Sequence, residues 1–544
     1  MTQFDLATLF DAVAATVPDR VALVWREQRR TFAEEADRIG RLAAVLAAHG
    51  LGRRAEAAEP WESNHDHLAL HLHNGPEYLE GLVGAHRAGV APFNVNYRYV
   101  DDELAYLFAD AGPAAILYHE AFAPLLARVL PALGRPPLLL QVADGSGHAL
   151  LPGALDYESA LAAAEPGPFE ASPDDLHILY TGGTTGMPKG VLWRIGDLVE
   201  GPLGVARRDG RPYADLAEAL ANVHRVDART LVLPPMMHGS GTWTSLGGWL
   251  GGATVVLPDR VDGLDPAGVW KIVERERVTR IPLVGDAFAR PLVEELERGA
   301  YDTSSLRHLL NSGAAINPAT RRRIGELLPA VRLIDVVGSS ESGFQITRMG
   351  NDPFRASAGA GVLSADRTRL LEPGEPAVGE EELGWLVKSG LIPRGYLGDP
   401  DKTRGTFVTF GGRSYVIPGD RAKLLADGTV EMHGRDSMTI NTGGEKVFAE
   451  EVEAVVRALP QVAEALVVGR ASERWGTEIV AVVRPAPGSE EVPDEVLKTA
   501  CAEHLARYKI PKAFVRTDAG LRLPNGKADY ATARRLVAPS QEPT

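Results

Sequence analysis

Apolar residues Phe4, Leu6, Leu9, Phe10, Val13 and Val17 recur at helical spacing and predict an amphipathic helix at the start of the chain. Short apolar runs (RVALVW, HLALHLH) then alternate with helical patterns (TFAEEADRIGRLAAVLAAHG, PEYLEGLVGAHRAG) up to about residue 125, the signature of helices packed on a sheet. Residues 131–175 are rich in Pro, Gly and Ala and read as a connecting region with little core of its own. A second α/β unit is expected over 176–345, from the strand-like runs HILY, RTLVLP, ATVVLP, RIPLVG and RLIDVVG. Dense turn signals between short strands make 355–434 a small β-rich unit. The last ~105 residues form a separate α/β piece: helix AEEVEAVVRALP, strands AEALVVGR and EIVAVVRP, helix DEVLKTACAEHLARY.

Composition narrows the function. The 544 residues allow several domains and a large core without disulfides. With 57 Lys and Arg against 72 Asp and Glu, the net charge of −15 argues against a nucleic-acid binder. The one cysteine, Cys501, excludes an internal disulfide, fits a cytoplasmic location and reads as an inert packed thiol. No basic-then-apolar leader opens the chain, and no uncharged apolar run approaches the ~18 residues of a membrane span. In NHDHLALHLH, a strand would put His65, His67, His71 and His73 on one face. That could hold a metal, but nothing completes a zinc spacing, so the favoured reading is a strand edge with solvated histidines and Leu68, Leu70 and Leu72 facing the core.

The strongest chemical signal is Tyr180-Thr181-Gly182-Gly183-Thr184-Thr185-Gly186-Met187-Pro188-Lys189-Gly190, directly after a strand run. Glycines allow close backbone approach, and N–H groups with the hydroxyls of Thr181, Thr184 and Thr185 can surround phosphate oxygens. Lys189 adds a positive charge, although Pro188 and Gly190 around it depart from the ordinary P-loop.

This loop resembles the phosphate-binding motif of the adenylate-forming enzymes, the family of acyl-CoA synthetases, firefly-type luciferases and peptide-synthetase adenylation domains. Further likenesses follow in the family's order. Val337-Gly338-Ser339-Ser340-Glu341 resembles the adenylate motif whose glutamate binds Mg²⁺, and Tyr415–Asp420 the ribose motif. Gly434-Arg435-Asp436-Ser437, continuing to Gly443-Gly444-Glu445-Lys446, resembles the hinge and thiol-tunnel motif, and Pro524-Asn525-Gly526-Lys527 the catalytic-lysine motif. The resemblance implies a large N-terminal domain (1–434) of two stacked α/β subdomains plus a small β-barrel-like subdomain, a hinge at 435–437, and a small mobile α+β C-terminal domain (438–544). It implies ATP, Mg²⁺ and coenzyme A, with Lys527, His238 and Glu341 catalytic and Glu341 holding the metal. Gly313, Ala314, Ala315, Asp335, Asp420, Arg435, Gly443, Gly444 and Lys446 join Thr181, Gly183, Thr184, Thr185, Lys189 and Val337–Ser340 as nucleotide- or CoA-binding positions.

The chemistry suits these residue types. A carboxylate is a poor electrophile until it is joined to AMP, and the displacement at the α-phosphate needs positioning and charge neutralisation. Glu341 offers hard oxygens to Mg²⁺, Asp420 can accept hydrogen bonds from both ribose hydroxyls, and Lys527 can bridge carboxylate and phosphate. A thiol then attacks the acyl-adenylate; Gly443 and Gly444 leave room for its arm. One small domain cannot present the lysine loop and the Gly-Gly face to one site at once, hence a hinge.

Amino-acid-activating relatives carry an acid where this chain reads Pro234-Pro235-Met236-Met237-His238-Gly239-Ser240-Gly241, so an amino-acid substrate is rejected. Trp243, Leu246, Trp249, Val284, Phe288 and Ala314 form either an apolar acyl pocket or ordinary core. The motif variants resemble a subgroup acting on long-chain fatty acids and steroid side-chain acids. The expected partners are therefore a bulky hydrophobic carboxylic acid, ATP and CoA; oligomeric state is left open, a homodimer included. Val337 stands where an adenine-stacking aromatic is common, and Gly182, Ser437 and Ala449 also depart from the usual residues. These departures leave alternatives: a ligase working mainly from a preformed adenylate, transfer to a carrier-protein pantetheine, or a non-catalytic acyl- or nucleotide-binding protein.

Overall fold

The computed structural model describes residues 3–54, 59–181, 187–207, 210–314, 316, 318–364, 382, 384–435, 439–486, 488–489, 491–521 and 529–538. The chain divides into two compact units: Met1–Tyr97 with Phe108–Thr181 and Lys189–Gly434, and Arg98–Leu107 with Gly182–Pro188 and Arg435–Thr544.

The first unit is built on two sheets. In the smaller, strands His67–His71, Ala91–Asn94, Ala115–His119, Leu138–Val142 and Leu155–Asp156 run parallel beside Leu176–Thr181; Lys189–Arg194 and Gly395–Tyr396 add antiparallel edges. The larger sheet has a parallel half, Val21–Trp25, Thr254–Leu257, Arg229–Leu231, Arg280–Leu283, His308–Ser312 and Arg332–Ser339 in spatial order. It continues through antiparallel strands from Gly343–Met349 to Thr429–Arg435, so the β-rich 355–434 region extends this sheet.

Helices lie between the sheets because their apolar faces are wide. Leu6–Thr16, capped by Asp5, buries Leu6, Leu9, Phe10 and Val13; Phe32–Ala48 starts at a Thr31/Glu34 capping box. With Gly239–Leu250 they form one core with residues of both sheets, Leu70, Leu179, Trp193, Val232 and Val255 among them. Helices Pro266–Glu276 and Gly285–Arg298 bury Val269, Trp270, Ile272, Leu292 and Val293 with Ile281 and Leu283 of the larger sheet.

Three sequence expectations need correction. The 131–175 stretch is not coreless: Leu139, Leu140 and Val142 are buried in a sheet strand, and helix Tyr157–Ala163 seats Tyr157 and Leu161. The two α/β pieces are not consecutive in sequence: Val21–Trp25 pairs with Thr254–Leu257, while Leu176–Thr181 pairs with Ala91–Asn94. Propensity patterns report strands but not which sheet adopts them. The histidine strand is no edge. His67–His71 lies between two neighbours and is buried throughout, because helices cover both faces of a parallel sheet. His71 stacks on Phe122 with ring centroids 4.2 Å apart, and neither ring nitrogen has a hydrogen-bond partner among the described residues. No cluster of three metal-ligating side chains occurs among the described residues.

In the second unit a hairpin, Thr439–Thr442 with Glu445–Phe448, shares a core with a separate sheet of Val462–Ser472, Gly476–Pro485 and Ala513–Arg516. Helices Ala449–Arg457 and Asp494–His504 bury Val452, Val456, Leu497 and Cys501 against it. Burial pushes the Cys501 thiol up to about 11, as suits a packing residue. Lys509, also buried, donates to Glu103 at 2.5 Å and Glu451 at 2.9 Å.

Candidate active site

The phosphate-loop candidate spans a hairpin. Thr181 ends Leu176–Thr181 and lies opposite Lys189, the first residue of Lys189–Arg194. Gly183, Thr184 and Thr185 lie outside the described residues. Lys189 Nζ donates to Asp399 Oδ2 at 2.5 Å, and Asp399 Oδ1 caps helix Pro400–Thr406 by accepting the Lys402 N–H at 2.9 Å. Burial pushes the Asp399 carboxyl up, but the bonds from Lys189 and Lys402 outweigh it and hold the group below the ordinary range.

Two asparagines fix the loop carrying His238. Asn94 accepts the Tyr180 N–H at 2.7 Å and donates to Tyr180 O at 2.8 Å and Met237 O at 2.7 Å. Asn74 accepts the Met236 N–H at 2.7 Å and donates to Pro234 O at 3.0 Å. Two sheets are thereby tied at one point by buried amides. Half-buried His238 is the N-cap residue of helix Gly239–Leu250, its carbonyl accepting the Gly241 and Thr242 N–H groups at 3.0 and 3.1 Å.

The adenylate-motif candidate closes from another side. Glu341 is buried, and its Oε1 accepts the Tyr396 hydroxyl at 3.1 Å; Tyr396 pairs with Val191 of the phosphate-loop hairpin. Trp193 of that hairpin donates to Ser340 O at 2.9 Å. Ser339 N–H and hydroxyl bond the Ser342 hydroxyl at 3.1 and 3.0 Å. At Gly338 a Cβ would sit 2.0 Å from Gly343 O, so only glycine fits this crossing. Val337 packs on the small core of Ile346, Val362 and Leu386. Asp335 is held by Asn311 at 2.8 Å, Arg321 at 2.5 Å and Arg348 at 2.7 Å. Asn311 also donates to Ala314 O at 3.0 Å and accepts the Gly285 N–H at 2.8 Å, fixing the turn at Gly313, whose φ is +75°. Ala315 lies outside the described residues. Asp420 is buried at the head of Asp420–Leu424.

Of the apolar pocket candidates, Trp249 and Leu246 belong to the core: Trp249 is fully buried against Phe10 and donates to Ala22 O at 2.9 Å. Trp243 belongs to the same core, edge-on to Trp193 and Phe344 at 6.2 and 6.1 Å. Val284 and Ala314 lie just beyond the ends of strands Arg280–Leu283 and His308–Ser312, and Phe288 lies in the first turn of helix Gly285–Arg298.

In the second unit, Gly443 and Gly444 turn the hairpin with φ of +56° and +87°, a conformation that demands glycine. Gly443 N–H donates to Trp475 O at 3.0 Å, and a Cβ there would meet the indole at 3.1 Å. Arg474 and Lys512 lie 4.8 and 5.6 Å from the Trp475 ring. Lys446 follows on the returning strand, opposite Asn441. Arg435 ends strand Thr429–Arg435; Lys527, Asp436 and Ser437 lie outside the described residues.

Asn74, Asn94, Asn311, Tyr396, Asp399 and Trp475 carry no signal in the sequence. None sits in a glycine-rich string, and each acts through a partner distant in sequence.

Comparison with known proteins agrees with this architecture. Residues 10–397 match the AMP-binding enzyme family and residues 451–527 the AMP-binding enzyme C-terminal domain. The chain therefore belongs to the adenylate-forming AMP-binding enzymes, in their acyl-CoA ligase branch. It is 44% identical to the medium-chain acyl-CoA ligase Mig of Mycobacterium avium, covering 98% of each chain. It is 37% identical to a medium/long-chain-fatty-acid–CoA/3-oxocholest-4-en-26-oate–CoA ligase of Mycobacterium marinum, covering 97% of this chain and 96% of that one. In fold it is similar to the o-succinylbenzoate CoA synthetase of Bacillus subtilis, with a TM-score of 0.76, 23% identity and 97% of each chain covered. No helix among the described residues is long and apolar enough to cross a membrane.

Proposed function

We propose that this enzyme joins a bulky hydrophobic carboxylic acid, of the medium- to long-chain fatty or steroid side-chain type named in its relatives, to coenzyme A in the cytoplasm. The observation that carries the proposal is the tying of two motif segments and a helix cap around the hairpin of Thr181 and Lys189: Met237 through Asn94, the Ser340-Glu341 segment through Trp193 and Tyr396, and Asp399 directly.

In the first step an acid oxygen attacks the α-phosphorus of ATP and pyrophosphate leaves with the electron pair of the broken bond. Lys189 and the loop hydroxyls hold phosphate oxygens; Asp420 accepts the ribose hydroxyls. Glu341 suits Mg²⁺, since Tyr396 occupies only Oε1 and Oε2 has no partner among the described residues. An ion that keeps its phosphate and water ligands needs one such carboxylate. Bound there, Mg²⁺ supplies neutralisation of triphosphate charge. Lys527 would steady the approaching carboxylate, and the lack of an acid within the string Pro234–Gly241 favours an uncharged acyl chain.

In the second step the CoA sulfur attacks the acyl carbon and AMP departs. The Gly443–Gly444 turn admits the pantetheine arm, with Lys446, Arg474 and Lys512 as cations and Trp475 as a stacking face for the CoA nucleotide. A hinge at 435–437 would present the Lys527 loop and the Gly-Gly turn in turn; it coincides with the change of unit after Gly434.

The test is acid-dependent AMP release with CoA present, over fatty acids of increasing length, 3-oxocholest-4-en-26-oate and amino acids, with the thioester identified by mass. Thioesters from the hydrophobic acids alone are expected. AMP release only with amino acids refutes the substrate assignment, and brisk ATP–pyrophosphate exchange excludes an enzyme confined to preformed adenylates.

A further inference from the structure

We infer that the first unit carries a second anion site, for a small molecule bearing a phosphate group, at the amino ends of the larger sheet's parallel strands. A pocket of about 510 Å³ opens there, lined by Arg229, Arg277, Arg280, Arg307, His308 and Asp227. The strands explain the crowding. Arg280 begins Arg280–Leu283 and is in register with His308, which begins His308–Ser312 and is in register with Arg332. Adjacent parallel strands lie about 4.8 Å apart, and residues in register share a face. Three basic side chains thus stand in a lateral row, an arrangement that is unfavourable without counter-charge.

The protein supplies only part of that counter-charge. Arg229 pairs with Glu276 at 3.0 Å and Arg277 with Asp302 at 2.6 Å. Arg307 reaches only carbonyl oxygens, Ser304 O at 2.5 Å and Leu306 O at 3.0 Å. The half-buried Arg280 guanidinium has no hydrogen-bond partner among the described residues. Asp227 is the one carboxylate in the lining. Burial, then Arg280, Arg332 and Arg307, depress the His308 pKa, so the imidazole already feels an excess of positive charge.

Among the described residues the guanidiniums of Arg280 and Arg307 have no carboxylate partner. A guanidinium is the donor fork that suits phosphate oxygens, and Thr279 and Ser305 line the same pocket. The volume lies in the range of organic-ligand sites and exceeds what inorganic phosphate needs, so the occupant is a phosphate ester. This pocket is not the adenylate site. Val284 and Ser312–Ala314 lie at the opposite, carboxyl ends of the same strands, and the inference stands whether or not the substrate assignment holds.

The test is arginine footprinting of the full chain with phenylglyoxal, read by peptide mass spectrometry, with inorganic phosphate or glucose 6-phosphate as probe at low ionic strength. Both probes should protect Arg280 and Arg307, the ester at lower concentration. Calorimetric titration should show affinity for the ester reduced at least tenfold in Arg280→Gln/Arg307→Gln and unchanged in Lys189→Ala. Absence of protection in the wild type, or undiminished binding in the double variant, overturns the site. Stronger protection by inorganic phosphate than by the ester overturns the assignment of an organic occupant. Footprinting uses the wild-type protein, so a variant that fails to fold does not shield the inference.

Discussion

Asn94→Asp isolates the buried amide that ties the phosphate-loop strand to the His238 loop. The substitution keeps size and shape. One carboxylate oxygen still accepts the Tyr180 N–H at 2.7 Å, but the other replaces an NH₂ that donates to Tyr180 O at 2.8 Å and Met237 O at 2.7 Å. Two bonds worth about 1 kcal/mol each disappear, and two buried acceptors face a third, at roughly 1–3 kcal/mol per unsatisfied group. Asn94 is only 8% exposed, so water cannot repair the loss. A total of about 4–8 kcal/mol follows, a large share of the ~5–15 kcal/mol that keeps a domain folded. Urea unfolding followed by tryptophan fluorescence should show a lower midpoint. ATP–pyrophosphate exchange should fall at least tenfold at temperatures where the variant remains folded, because the two loops lose their shared anchor. Protonating the new carboxyl restores one donor, so part of the exchange should return as pH falls from 8 to 6. A wild-type midpoint with wild-type exchange would refute the role given to this amide.

Lys509→Met leaves Glu103 and Glu451 buried without their shared cation and should lower stability by about 3–5 kcal/mol; an unchanged urea midpoint would contradict it. His71, His119 and His177 have pKa values depressed to about 3, 4 and 4, burial being the leading cause. They stay neutral in the fold while the unfolded chain takes up protons below about pH 6.5, so stability falls as pH falls, by about 2 kcal/mol per histidine between pH 7.5 and 5. His71→Leu should remove one such share, seen as a shallower drop in melting temperature over that range; identical slopes for both proteins would show that His71 is not buried neutral. Lys527→Ala should abolish most adenylate formation yet leave thioester formation from a synthetic acyl-adenylate largely intact, and equal loss of both would contradict a two-face tail.

The sequence revealed what local pattern encodes. The opening helix was visible because Leu6, Leu9, Phe10 and Val13 fall on one helical face, and those side chains are the buried ones. Gly443 and Gly444 stood out only as room for a thiol arm; that they turn a hairpin, with two consecutive positive φ angles, appears only in the fold. Partnership was not legible. Asn94 is an ordinary residue in FNVN until Tyr180 and Met237 reach it, and Asp399 in GDPD resembles any helix cap until Lys189 reaches it. The histidine strand misled for a related reason: alternation of His with Leu suggests one wet face, whereas the sheet buries both. The crowding at Arg280 and His308 arises only when two strand starts come into register.

The exchange of strands between the two sheets has a consequence for synthesis on the ribosome. Residues 21–25 find their parallel neighbour only after residues 254–257 have been made. At about 5–20 residues per second, this leaves VALVW with one uncovered side for roughly 10–50 s, held by the short Gln28–Thr31 hairpin arm alone. Translation speed and chaperone supply should therefore govern the yield of active enzyme more strongly than the final stability does.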